Sequence, residues 1–180
     1  MTEPETGSGL TIRELLDRHE TGLVTYVTRL VGDVERARDV VQDTFMRLLK
    51  QGNSLRSQAP EVLARWLFTT ARNRALDVVR KEQRMRAREQ AVAAPESLAD
   101  ADPQGQLEKR DQLGGILRFL AELPANQQEA LRLKYQQGLS YRQIAEVMDQ
   151  SLNHVGVLLH HGLHALRRRV LEADRGGVRS

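Results

Sequence analysis

Along most of the chain, apolar residues return every three or four positions, the period of a helix with one buried face. Leu15, Leu16, Leu23, Val27, Leu30 and Val31 mark a first helix. Gly32 and Asp33 break it, and Asp33 can cap the next. From Val34 to Lys50, the repeat is carried by Ala37, Val40, Val41, Thr44, Phe45, Leu48 and Leu49. Gln51-Gly52-Asn53-Ser54 reads as a loop, because Gly and Asn tolerate turn geometry. Pro60 suits the first turn of a third helix, with Glu61 near its positive end. That helix runs to about Arg88 through Val62, Trp66, Leu67, Thr70, Ala71, Ala75, Leu76 and Val79. Prolines, a glycine, small residues and acids then replace the periodicity, the composition of a mobile linker. The helical pattern resumes from Leu113 to Leu123, restarts after Pro124 and stops at Gly138. Ser140, with Gln143 three residues on, forms a capping box for a short helix. Asp149-Gln150-Ser151 makes a tight turn, and a last helix continues to about Glu172. No stretch alternates as a strand does. The pattern predicts an all-α protein: a helical domain over residues 10–89, a linker over 90–107 and a second helical domain over 108–172.

Composition narrows the class. The chain has 180 residues, enough for one ordinary domain or two small ones, and its seven aromatics are few for one large core. Cysteine is absent, which excludes a disulfide scaffold and thiol chemistry. No apolar run reaches the roughly 18 residues of a spanning helix. The start MTEPETGSGLTIREL lacks the basic and apolar regions of a signal peptide. A soluble cytoplasmic protein with no membrane insertion is expected. Net charge is only +3, but it is unevenly placed. Arg65–Arg88 holds eight basic residues against Asp77 and Glu82, a net of +6; Glu89–Asp111 holds six acids against Lys109 and Arg110, a net of −4. The first block suits a polyanionic partner and the second a solvated strap.

Within the second domain, SYRQIAEVMDQSLNHVGVLLHHGLHAL has the spacing of a helix-turn-helix. Ile144 and Ala145 face inward from the first helix; Val155, Leu159, Gly162 and Leu166 form the inner stripe of the second. Asn153, His154, Gly156, Val157 and His160 are left exposed at its start. An ordinary helical hairpin is the alternative. Arg167, Arg168 and Arg169 suit phosphate or, more plainly, a solvated last turn complementing the helix dipole. His154, His160, His161 and His164 lack the nearby carboxylate or Cys set of a closed metal site, so a polar groove-facing stripe is preferred to a metal site.

In the first domain, Trp66 and Phe68 stand among basic residues, a combination that suits single-stranded DNA, although most of the Trp66 ring is expected in the core. Arg72, Asn73, Asp77, Arg80 and Lys81 fall at spacings that put several on one helix face. Glu35, Asp39, Gln42 and Asp43 form an acidic and polar ridge beside Val41 and Phe45, either a docking face or a solvated one.

Three stretches occur in order: GDVERARDVVQDTFMRLLK, RWLFTTARNRALDVVRKEQR and LPANQQEALRLKYQQGLSYRQIAEVMDQS. Together they resemble bacterial sigma factors of the short extracytoplasmic-function group, over about residues 10 to 170. The resemblance implies that DVVQDTF docks on core RNA polymerase, through Asp39, Gln42, Asp43 and Phe45. It implies that the third helix reads and melts promoter DNA, through Arg65, Trp66, Phe68, Arg72, Asn73, Asp77, Arg80, Lys81 and Arg84. The loop from about Gln51 to Ala59 would help capture a flipped base. The C-terminal pair would bind the upstream promoter element, through Ser140, Tyr141, Arg142, Asn153, His154, Val157, His160, His161 and Arg167. An anti-sigma factor is an implied partner; no reaction, cofactor or metal is implied. A stand-alone helix-turn-helix regulator is the alternative function.

Overall fold

The computed structural model describes residues 11–51, 53–56, 58–90 and 111–176. Every regular element among them is helical: α1 (Ile12–Val31), α2 (Val34–Lys50), α3 (Asn53–Arg56), α4 (Pro60–Gln90), α5 (Asp111–Ala121), α6 (Ala125–Tyr135), α7 (Tyr141–Met148) and α8 (Leu152–Gly176). They fall into two compact units, α1–α4 and α5–α8. The predicted linker lies outside the described residues, apart from its first position, Gln90, which ends α4.

In the first unit, α1, α2 and α4 pack on one another in all three pairings. A reciprocal capping box starts α1: the Glu14 N–H donates to Thr11 Oγ1 at 3.3 Å, and the Thr11 N–H donates to the Glu14 carboxylate at 2.7 Å. That backbone donation, with a second from the Thr11 hydroxyl, holds the Glu14 carboxyl below the usual carboxylate range. Gly32 ends α1 at φ +75°, a left-handed conformation that costs glycine nothing. Asp33 caps α2 by accepting from the Arg36 N–H at 2.8 Å. The core is then set by helical period. Leu63, Leu67, Ala71 and Ala75 of α4 are fully buried at intervals of four, opposite Leu15, Leu23 and Val27 of α1 and Ala37, Val41 and Leu48 of α2. Each buried Leu contributes roughly 1.5–3 kcal/mol. Thr44 is fully buried, and its hydroxyl donates to the Val40 carbonyl at 2.8 Å, so no polar group is stranded.

The 51–54 loop is corrected: Asn53–Arg56 forms the single turn of α3. The Ser54 hydroxyl and carbonyl bind the Gln51 carbonyl and the Gln58 side chain. A four-residue helix has no apolar repeat by which to be found.

In the second unit, α8 packs on α5, α6 and α7, and α6 packs on α7. Gln128 Nε2 closes the α5–α6 turn by donating to the carbonyls of Ala121 (3.0 Å) and Leu123 (2.7 Å). Gly138, at φ +69°, turns the chain after α6 and delivers buried Leu139 to the core. The Ser140–Gln143 capping box forms as expected, and Asp149 at φ +54° makes the α7–α8 turn. Ile144, Ala145, Val147, Met148, Val155, Leu158 and Leu159 are buried between the helices. At Gly162 a Cβ would lie 2.8 Å from Leu131 Cδ1, so the absence of a side chain is what permits α8 to cross α6 there.

Candidate nucleic-acid and docking interfaces

On α4, Trp66, Asn73, Asp77, Arg80 and Arg84 follow one another at seven, four, three and four residues, so they share a face. Trp66 is half-buried and the other four are exposed. Arg65 and Arg72, seven apart and half-buried, run alongside, and Lys81 is exposed beside them. From Gln83 to Arg88 the helix is exposed all round. Its charges are partly tethered: Asp77 lies 3.8 Å from Arg80, and Arg84 Nε donates to the Arg80 carbonyl at 3.2 Å.

Phe68 is not part of this face. It is 2% exposed and packs edge-to-face on Tyr26, with ring centroids 5.4 Å apart, so its place on the DNA-binding surface is corrected to the core. Two residues after Trp66, it points about 200° away around the helix.

Phe45 is corrected likewise. At 6% exposed, it cannot present its ring to a docking partner without moving. Sequence reasoning also missed two residues. Met46 is 49% and Leu49 43% exposed, although Leu49 was counted among the apolar repeat of a buried face. With exposed Asp39 and Gln42 they line up at spacings of three, four and three, giving α2 a mixed polar and apolar outer ridge. Counting onward from Asp39 at helical spacing would have found them.

Asp43 has a different setting. Its Oδ2 accepts from Arg47 Nε at 3.1 Å and lies 2.7 Å from Arg74 Nε on α4, the latter oriented as a charge contact and not as an N–H···O bond. Arg36 of α2 and Glu82 of α4 make a second ion pair across the same two helices. Between these pairs runs a groove of about 560 Å3, with Val40, Val78 and Met85 as its apolar lining. Arg36 and Asp43 of α2 are therefore each ion-paired to the basic helix.

In the second unit, Asn153, His154, Val157, His160, His161 and Arg167 are all exposed on α8. On α7, Tyr141 and Arg142 are exposed, and Lys134 Nζ stands 5.4 Å over the Tyr141 ring. Ser140 is exposed, but its hydroxyl already serves as the α7 cap. Of the arginine cluster, Arg169 pairs with Glu122 at 2.8 Å and Arg168 stands 3.9 Å from Glu172. No three His, Asp or Glu side chains converge in metal-binding geometry among the described residues.

A helical unit with a mixed polar and apolar outer ridge and a basic helix bearing Trp66, together with a unit that has helix-turn-helix spacing, fits a protein of transcription. Residues 15–85 match the family model of Sigma-70 region 2, and residues 113–166 match that of Sigma-70 region 4. The ECF RNA polymerase sigma factor SigL of Mycobacterium tuberculosis is 31% identical over 163 residues, covering 89% of each chain. SigM of Bacillus subtilis is 29% identical over 143 residues, covering 79% of this chain and 84% of its own. Among solved structures, the sigma factor RpoE in complex with the anti-sigma factor NepR from Bartonella quintana matches with a TM-score of 0.63. It is 25% identical and is covered over 97% of its length by 90% of this chain. The chain belongs to the sigma-70 family and is a sigma factor of its extracytoplasmic-function group.

Proposed function

We propose that the chain binds core RNA polymerase through Asp39, Gln42, Met46 and Leu49 on α2, and that Asp43 couples that docking to α4. The observation that carries this is the α2 ridge, where two exposed polar side chains are followed by two exposed apolar ones on a helix already anchored in the core. On α4, Trp66 offers the stacking surface, and Arg65, Arg72, Asn73, Arg80, Lys81 and Arg84 offer phosphate and base contacts, with Asp77 orienting Arg80. Extruding a base costs a few kcal/mol. Stacking at about 1–3 kcal/mol per base and phosphate contacts offset that cost. Tyr141, Arg142 and the exposed face of α8 meet the upstream duplex element, with Ser140 setting the start of α7.

The polymerase supplies the chemistry; the chain contributes recognition and has no reaction of its own. Residues 90–107 serve as the tether between the domains at 10–89 and 108–172. An anti-sigma factor covering the polymerase-binding faces controls the protein, a reading supported by the complex in which the RpoE neighbour was solved. The site of action is the cytoplasm; no described helix is long and apolar enough to cross a membrane. The stand-alone regulator is not favoured, because it leaves the region 2 match and the α2 ridge without a role.

The deciding experiment is transcription in vitro with core polymerase on a library of genomic fragments. A discrete set of start sites that depend on the added chain is expected. Tight binding of the chain to duplex DNA, with no association with polymerase and no new start sites, would overturn the reading.

A further inference from the structure

The reading face of α8 carries no fixed charge. Between Leu152 and Leu166 there is no Asp, Glu, Lys or Arg, yet four of the chain's five histidines fall there. His154, Val157, His161 and His164 are spaced three, four and three apart, and His160 lies beside them; all five are exposed. The opposite side of the helix is the buried one, through Val155, Leu159 and Gly162. The elements packed there carry their own charges. α5 brings Arg118, with Glu122 just beyond it held by Arg169. α6 brings Glu129, Arg132, Lys134 and Tyr135, and Lys134 is turned toward Tyr141. α7 brings Tyr141, Arg142 and Glu146, followed by Asp149 in the turn. Further along α8 itself, Arg167 and Arg168 follow His164 by one turn.

We propose that this face binds duplex DNA in its imidazolium form, so that His154, His160, His161 and His164 take up protons as they meet phosphate. The inference rests on the reading that α8 faces the duplex. The rings of His160 and His161 are 5.9 Å apart and both exposed, so one stretch of duplex backbone meets both. Arg167 and Arg168 stand one turn beyond His164 on the same helix. Duplex DNA, with one negative charge per about 1.7 Å of axis, favours the charged form of each imidazole it meets. Imidazole is the side chain whose charge changes across the physiological range, so affinity rises as pH falls. By linkage, the salt dependence steepens with it.

The test uses the full chain and a short labelled duplex of mixed sequence, with anisotropy read against salt at about pH 6 and about pH 8. Each phosphate newly neutralised steepens the slope of log affinity against log salt by about 0.9. The wild-type slope is expected to steepen by about 2 or more at the lower pH. The variant with all four histidines changed to Gln should show equal slopes, and His160→Gln with His161→Gln should show an intermediate change. Circular dichroism at both pH values checks that helix is retained. A wild-type slope that ignores pH, or a fourfold variant that keeps the pH effect, overturns the proposal. Asn153→Ala with Arg167→Ala at about pH 8 separates the two levels. Weakened binding there without pH dependence sinks this inference alone; no effect of these variants or of pH sinks the placement of α8 on DNA.

Discussion

Two helices of this molecule are proposed to face DNA, and they are charged in different ways. α4 carries guanidinium groups that stay charged at every relevant pH, and one of them, Arg74, is tied to Asp43 of α2. α8 carries four imidazoles and no fixed charge from Leu152 to Leu166. The first arrangement gives a constant grip whose strength is set by what α2 holds back. The second gives a conditional grip set by protons. Since α2 also bears the proposed docking ridge, a partner that draws Asp43 away would release Arg74 in the groove between α2 and α4. No such shared pair is needed on α8, whose reading face and packed face lie on opposite sides.

The largest expected effect tests where α4 stops being a surface and becomes core. Phe68→Ala removes a buried ring and should cost the first unit about 3–5 kcal/mol, a large part of the 5–15 kcal/mol typical of a whole domain. Val157→Ala on α8, where the side chain is 49% exposed, should stay within about 0.5 kcal/mol. The chain's single tryptophan, Trp66, reports on the first unit directly, so denaturation followed by its fluorescence reads the first change. Unchanged stability with lost single-strand binding would return Phe68 to the surface.

The next effect breaks the link between α2 and α4. Asp39→Arg and Asp43→Arg should both weaken association with core polymerase by roughly tenfold, or about 1.4 kcal/mol. Only Asp43→Arg should also destabilise the unit, by about 1 kcal/mol, because it sets a third guanidinium beside Arg47 and Arg74. A double-mutant cycle between Asp43→Asn and Arg74→Gln should give a coupling of about 0.5 kcal/mol, as suits a pair this exposed. A coupling of zero would leave Asp43 as a docking residue alone.

Local rules were the legible part of this fold. Asp33, Gly32 and the Ser140–Gln143 box each specify a helix end with the atoms of three or four neighbouring residues, and the end of α1 and the starts of α2 and α7 follow from them. What could not be read was which way an aromatic turns. Phe68 shares its sequence neighbourhood with Trp66 and several cations, but 100° of rotation per residue puts it on the other side of the helix. Phe45 went astray for the same reason, with Asp39 and Asp43 just before it in sequence and the core beneath it. Leu49 failed in the opposite sense: near the end of α2, a position on the apolar repeat opens to solvent. The Asp43–Arg74 contact joins residues 31 apart, and no spacing rule announces it.

A smaller effect concerns the cap that sets the start of the helix-turn-helix. Ser140→Ala removes the acceptor of the Gln143 N–H and should cost the second unit about 1 kcal/mol, read from thermal melts by circular dichroism. Thr11→Ala, which removes the equivalent acceptor on α1, provides the matching measurement in the first unit. If Ser140→Ala leaves the melt unchanged while duplex binding falls, the hydroxyl belongs to the DNA surface and not to the fold.

The smallest effect returns to histidine and has the opposite sign to that proposed for α8. His19 on α1 is half-buried, and its Nε2 has no hydrogen-bond partner among the described residues. Burial first, and the neighbouring Arg18 second, push its pKa below the ordinary histidine value near 6.5. Between the folded value and about 6.5, the unfolded chain therefore holds more protons than the folded one. Stability of the first unit should rise with pH through that window, be complete above it and decline as the medium becomes more acidic. His19→Met keeps an apolar side chain in place and removes the titration. Denaturation followed by Trp66 fluorescence should then show a flatter dependence on pH than in the wild type. Matching slopes in the two proteins would remove His19 as the cause. A flatter slope in the variant, beside tighter duplex binding on acidification, would show one chain using the same side chain in opposite senses: buried and penalised by a proton in α1, exposed and recruited by it in α8.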